Sequence, residues 1–270
     1  MNAPTSTVST VSNQANAQAS AAAATTSAPA ASGDTAGVGV VAAVASHQLP
    51  VDAGELKAAA KAAGAPRQVV RFLDGMALPA FVAGMTALDA AGVTEPADGE
   101  RCGLFTISGW DPDQHQPELG PDQGDEPPTY ETVARHYITT ASPMAWLRKM
   151  VNNVLCQLSL SRNLRGPNNH VVGGPGALAA VLALGGRSIE TGGADRVLVL
   201  AYDAPTGHES DHEVAGQAAA VVLGPAQPGR STLPAPATRD IGSRGDGPAN
   251  GHGGRAVDAL DALIAEHGHA

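Results

Sequence analysis

RGPNNHVVGGPGALAAVLALGGRSIETGGADRVLVLA, residues 165–201, is the stretch whose reading decides the fold. Asn168–Val172 predicts a short strand. Gly173, Gly174 and Gly176 around Pro175 predict a sharp turn, and Gly176–Thr191 places its apolar residues at helical spacing. Gly192 and Gly193 then stop the helix, and Arg196–Ala201 (RVLVLA) reads as a strand that is apolar on both faces. Strand, crossover helix and buried strand together predict a parallel sheet covered on both sides.

Working outward, Gly37–Ala45 (GVGVVAAVA) and Arg101–Ser108 (RCGLFTIS) predict two earlier strands, and Val214–Leu223 (VAGQAAAVVL) a final one. Helices are expected over Ala53–Ala63 and over Gln68–Ala91, the latter kinked or restarted at Pro79. Two more are expected over Thr129–Tyr137 and Pro143–Leu158, with Ser142 as N-cap and Pro143 at the first helical position. Residues 110–128 carry six acidic side chains among Pro and Gly, a solvated loop. One α/β domain over residues 37–224 is the expectation, a three-layer αβα arrangement on a five-stranded mixed sheet.

Both flanks read differently. Residues 1–36 are small and polar, with Asp34 as the one charge, and bury too little area to offset ordering entropy. A disordered tail is expected there. Residues 225–270 are Gly/Pro-rich and end in a short amphipathic helix over 255–266, with Val257, Leu260, Leu263 and Ile264 on one face. That helix is suited to dock on the body or on a partner.

The 270 residues carry a formal net charge of −10. Nucleic-acid binding needs clustered Lys and Arg, so the acidic balance argues against it. Aromatics are only 3%, which leaves Ala, Val and Leu to build the core. Two cysteines, Cys102 and Cys156, make neither a disulfide framework nor a structural zinc site. No apolar run approaches the roughly 18 residues of a membrane span, and no basic N-terminal region marks a secretory signal. A soluble cytoplasmic protein is expected.

Two short motifs offer chemistry. His208-Glu209-Ser210-Asp211-His212 matches the zinc-protease pattern, which needs a helix to bring both imidazoles to one metal. These residues follow Pro205-Thr206-Gly207 and have no apolar face to pack a helix, so an acidic surface loop accounts for them, and no metal is expected. Gly174-Pro175-Gly176-Ala177-Leu178-Ala179 fits the dinucleotide fingerprint G-x-G-x-x-A, with Asp203 ending the next strand as the ribose-binding acid. Against that NAD(P)-binding reading, the preceding strand is short and polar and the motif lies late in its domain. No cofactor is the expectation.

A third pattern covers more of the chain. Arg165-Gly166-Pro167-Asn168, then Gly192-Gly193-Ala194-Asp195 and RVLVLA, together with the Gly-x-Ala-Ala run inside Val214–Leu223, resemble the β-ketoacyl synthases. The resemblance spans residues 37–224 and is strongest from 143 to 202. It implies a thiolase-like half-fold with four parallel strands and an antiparallel last one. It places the family's nucleophilic cysteine at Pro175, within the degenerate turn Gly173-Gly174-Pro175-Gly176, where no side chain can attack a thioester. Cys156 on a helix face and Cys102 at a strand start read as buried hydrophobes, and His170 as partner to a backbone carbonyl. The resemblance also implies a second half that carries two catalytic histidines. His252, His267 and His269 lack that half's strand pattern.

An N-terminal half without condensation chemistry of its own is therefore expected. By resemblance it is a chain-length-factor-type subunit supporting a complete ketosynthase in fatty-acid, polyketide or polyene assembly. The implied partners are that ketosynthase in a heterodimer, a second copy when the chain is made alone, and an acyl carrier protein. The strand Asn168–Val172 is where such subunits pair edge to edge. A bare apolar face is expected on Gly176–Thr191. An oxidoreductase using Gly174, Gly176 and Asp203, or a folded relic with no partner, are the competing readings.

Overall fold

Arg196–Asp203 forms the middle of the sheet because all but its first residue can be buried: Val197 through Ala201 are 0% exposed. The computed structural model describes residues 37–73, 75–109, 129–132, 134–135, 150, 152–203, 216–226 and 255–267. Within them the chain forms β1 (Val38–Val44), α1 (Ala53–Ala62), α2 (Arg67–Val70), α3 (Ala77–Ala90), α4 (Pro96–Gly99) and β2 (Cys102–Ser108). It continues through α5 (Asn153–Arg162), β3 (Asn168–Val172), α6 (Pro175–Glu190), β4 (Arg196–Asp203), β5 (Gln217–Pro225) and α7 (Ala256–His267).

The strands make one five-stranded sheet in the order β1-β5-β4-β2-β3. β4, β2 and β3 are mutually parallel, and β5 runs antiparallel to both β4 and β1. β1 therefore points the same way as the other three. Four parallel strands with the last reversed is the mixed α/β sheet that the resemblance implied.

Alternation along the strands divides the core into two layers. Leu198, Leu200 and Tyr202 share one face with Leu104, Ala218, Ala220 and Val222, beneath α1, α3 and α5. Val197, Val199 and Ala201 share the other with Phe105, Ile107, Ala219, Val221 and Leu223, beneath α6 and α7. α3 is buried around most of its circumference, from Ala77 to Met85 and again at Ala87 and Leu88, which fits a helix lying between sheet and outer helices. Three αβα layers result, as expected.

Several local expectations need adjustment. The apolar run over Gln68–Ala91 is two helices, and the fresh start falls at Met76, with Pro79 inside the first turn of α3 where its missing N–H costs nothing. Asn163, in the left-handed conformation at φ 53°, ends α5 four residues beyond the expected Leu158. The four-residue α4 has no apolar period to announce it. Gly166 fits its turn because a Cβ there would lie 2.7 Å from the Cys102 backbone. The expected tail 1–36, the loop 110–128, most of Thr129–Tyr137 and residues 143–149 lie outside the described residues.

α7 docks on the body. Ala256, Val257 and Leu260 are at most 1% exposed, and Leu263 and Ile264 pack partly against the same layer as α6. The apolar face expected to be bare is thus partly filled from within the chain. What stays open is the outer side of α6, where Leu184 is 46% exposed, and β3, where Val172 is 38% exposed.

Candidate functional site

The turn between β3 and α6 sits at the C-terminal edge of the parallel strands, where open α/β sheets place their ligands. β3 forms the outer edge of the sheet: it pairs with β2 from Leu104–Asn168 to Ser108–Val172, and its other side has no strand among the described residues. The Gly173 amide donates to the Ser108 carbonyl at 2.9 Å, which closes the strand. Gly174 is the N-cap of α6 without a side-chain cap, and Pro175 takes the first helical position. Gly174, Pro175 and Gly176 are exposed, and a Cβ on Gly176 would meet open space. Four residues stand at the mouth of the edge, and none carries a nucleophile.

Neither cysteine is brought to that turn. Cys102 begins β2, about 20 Å down the sheet from the end that carries the turn at ~3.3 Å per residue. It is 0% exposed, and burial pushes its thiol up to about 11, so it stays protonated and inert. Cys156 lies on α5, packed against the core layer on the opposite face from α6.

His170 has side-chain partners that its sequence neighbours do not announce. Its register partner on β2 is Thr106, and its Nδ1 lies 2.8 Å from the Thr106 hydroxyl. Its Nε2 lies 3.4 Å from the Ser108 hydroxyl. Tyr202, in register with Ser108 on β4, completes the group: its hydroxyl bonds with Ser108 and Thr106, and its ring centroid is 6.2 Å from that of His170. Burial raises the Tyr202 hydroxyl well above its ordinary range. Thr106 and Ser108 are fully buried, so this network ties three neighbouring strands together, and the Ser108 carbonyl joins it to the Gly173 end of the turn. The alternation Phe105-Thr106-Ile107-Ser108 was the signal that both hydroxyls share one face, but only the register shows what they meet.

Asp203 points into the other layer. Its Oδ1 accepts the Gly109 amide at 2.7 Å, and the residue is 5% exposed. Burial raises its carboxyl above the usual range; the Gly109 and Val257 amides and the Arg255 guanidinium oppose the rise, and Asp258 adds to it. A dinucleotide site would need this acid beside the glycine turn. Here β2 stands between β3 and β4, and the carboxylate is engaged under α7. The Gly174, Gly176, Ala179 and Asp203 set is not assembled into one site.

The His208–His212 motif lies outside the described residues, as do His252 and His269. His267, at the end of α7, lies 3.7 Å from Glu266. Among the described residues no group of three His, Cys, Asp or Glu side chains could hold a metal ion, and no helix is long and apolar enough to cross a membrane.

No protein-family model matches the sequence, and the comparison with curated proteins finds no match. Solved structures with a similar course of chain do exist. One is the AntDE:AntF complex, a type II PKS acyl-carrier protein with its ketosynthase bound to the hexaketide, at 15% identity and TM-score 0.46, covering 70% of this chain and 62% of that one. The ishigamide ketosynthase/chain length factor is similar at 16% identity and TM-score 0.42, over 73% of this chain and 64% of the other. A β-ketoacyl synthase from Burkholderia phymatum follows at 14% identity and TM-score 0.43, over 70% and 59%. This chain spans less than two thirds of the length of each. These are likenesses in chain course at low identity, and they assign no residue a role.

Proposed function

We propose that this chain is a non-catalytic ketosynthase-like subunit of the chain-length-factor type, which supports a complete ketosynthase in assembling acyl chains. The observation that carries the reading is the turn Gly173-Gly174-Pro175-Gly176, exposed between an open edge strand and the N-terminus of a sixteen-residue helix. A reactive cysteine gains most from that position, because a helix N-terminus stabilises a thiolate. Proline occupies it instead. The strand directions of the sheet and the flanking Arg165–Asn168 and Gly192–Asp195 segments support the same reading.

A subunit without a nucleophile works through its surface. Among the described residues no strand lies on the outer side of β3, which leaves that edge as a template for a strand from the partner. Beside it, Val172 and Leu184 offer apolar contact. An interface covering about 1,000 Å² would be of specific size. With a little over half of that area apolar, its gross hydrophobic term is about 14 kcal/mol at ~25 cal/mol per Å², against association costs of about 4–15 kcal/mol. The partner would then carry the acyl group and receive it from an acyl carrier protein.

The test is co-expression with a ketosynthase encoded beside this chain, followed by purification on a tag carried by this chain alone. The reading expects a stoichiometric complex in which only the ketosynthase becomes acylated by an acyl thioester. A chain that remains monomeric at high micromolar concentration and recovers no ketosynthase sinks the reading.

A further inference from the structure

We propose that α7 is a releasable cover: an amphipathic helix bound in cis to the groove between α6 and strands β1, β4 and β5, screening a face that an associating partner would otherwise meet. The screening role rests on the subunit reading above; the groove and its ligand do not.

The groove is apolar and continuous. Val38 and Val40 of β1, Val199 of β4, Val221 and Leu223 of β5, and Leu178 and Val181 of α6 belong to the same layer as Val257 and Leu260. α7 meets it as an amphipathic helix meets a groove, with Val257, Leu260, Leu263 and Ile264 inward at i, i+3, i+6 and i+7. Residues 227–254 separate β5 from α7, a length that reaches up to roughly 90 Å when extended. Contacts hold the helix, the apolar seat with Val257 and Leu260 fully buried and a polar clasp at one side. The Ser46 amide donates to Asp261 Oδ1 at 2.9 Å and its hydroxyl to Oδ2.

The N-terminal end of α7 is imperfectly satisfied. Arg255 pairs with Asp258 on its own helix at 2.8 Å. Asp203 Oδ2 and Arg255 Nη1 are both buried without a hydrogen-bond partner among the described residues. Docking therefore desolvates two polar atoms that release would rehydrate, a cost set against the Val257 amide and the Arg255 charge that Asp203 meets while the helix is seated. The polar face suits release: Asp258, Asp261 and Glu266 keep the helix soluble once it is off the groove.

The experiment uses the full chain, wild type and Leu260→Asp, with a fluorescein-labelled peptide of residues 253–270 as probe. Leu260 is fully buried in the groove, so a carboxylate there expels the helix in cis and leaves the groove side chains intact. Peptide anisotropy should report binding at least tenfold tighter to Leu260→Asp than to wild type. The same variant should bind the ketosynthase, or itself, correspondingly more tightly, and added peptide should reverse the gain. If Leu260→Asp does not fold, Asp261→Ala removes the Ser46 contact alone and should show a smaller, few-fold shift in the same direction. Equal peptide binding by variant and wild type overturns the proposal. So does release without any change in association, or a wild-type dimer that the variant loses, which would make α7 a strap exchanged between copies. Peptide exchange in a chain that never binds a ketosynthase would leave the groove and its ligand standing and sink the subunit reading.

Discussion

The Gly109 amide donates to the Asp203 carboxylate at 2.7 Å, tying the end of β2 to the end of β4 beneath the first turn of α7. The approach is close enough that a Cβ on Gly109 would lie 2.3 Å from the same oxygen. Gly109→Ala must break the bond or displace Asp203. A loss of about 1–3 kcal/mol is expected, the cost of leaving a buried polar group unpaired, read from the midpoint of urea unfolding.

The pH dependence of stability carries the same signature. Burial raises the Asp203 carboxyl, so the unfolded state loses its proton first as pH rises, and the Asp203 contribution falls from about pH 4 upward. Asp258 is shifted the other way by its hydrogen bond from Arg255, and its contribution is lost only as pH falls below about 4. Between pH 4 and 7 the stability of wild type relative to Asp203→Asn should therefore increase toward the acid end. A constant difference across that range would contradict the assignment.

Pro175→Cys should create a reactive thiol. The position is exposed at a helix N-terminus, whereas Cys102 is buried with its thiol raised to about 11. Limited alkylation with iodoacetamide, followed by peptide mapping, should label residue 175 first and leave Cys102 unlabelled in the native protein. Equal labelling of residue 175 and Cys102 would mean the turn is not the accessible helix start described.

A charge on the open edge should separate association from folding. Val171 and Ala180 are partly buried, on β3 and α6. Val171→Asp or Ala180→Asp should weaken complex formation at least tenfold while the melting temperature of the isolated chain changes little. Unfolding by either substitution would assign these positions to the core.

Core and surface leucines should differ sharply. Leu200 is 0% exposed between β5 and β2, and Leu160 on α5 is 76% exposed. Leu200→Ala should cost about 2–5 kcal/mol, and Leu160→Ala less than about 0.5 kcal/mol, in the same denaturation experiment.

Much of this architecture is legible in residues 165–201, because continuous apolar strands and a glycine-bounded helix leave few alternatives. β3 appears over the residues that Asn168–Val172 predicts, and β4 runs two residues past Ala201 because Tyr202 and Asp203 both find buried partners. The break between α2 and α3 is marked in the sequence by Asp74-Gly75, a turn dipeptide that interrupts the apolar run between Leu73 and Met76, and not by Pro79. His170 was visible as a residue but not as a contact. Its hydroxyl partners come from β2, and only strand register brings Thr106 and Ser108 beside it. The docking of α7 was half legible: the sequence shows one apolar face, and the groove that receives it is assembled from β1, β4, β5 and α6.

Native mass spectrometry of this chain co-expressed with a complete ketosynthase, after a pulse of acyl thioester, tests the central claim most directly. A subunit with proline at residue 175 and its edge strand open should appear in a 1:1 heterodimer, with the acyl mass on the ketosynthase alone. An acyl adduct on this chain, or two unassociated proteins, would contradict the account.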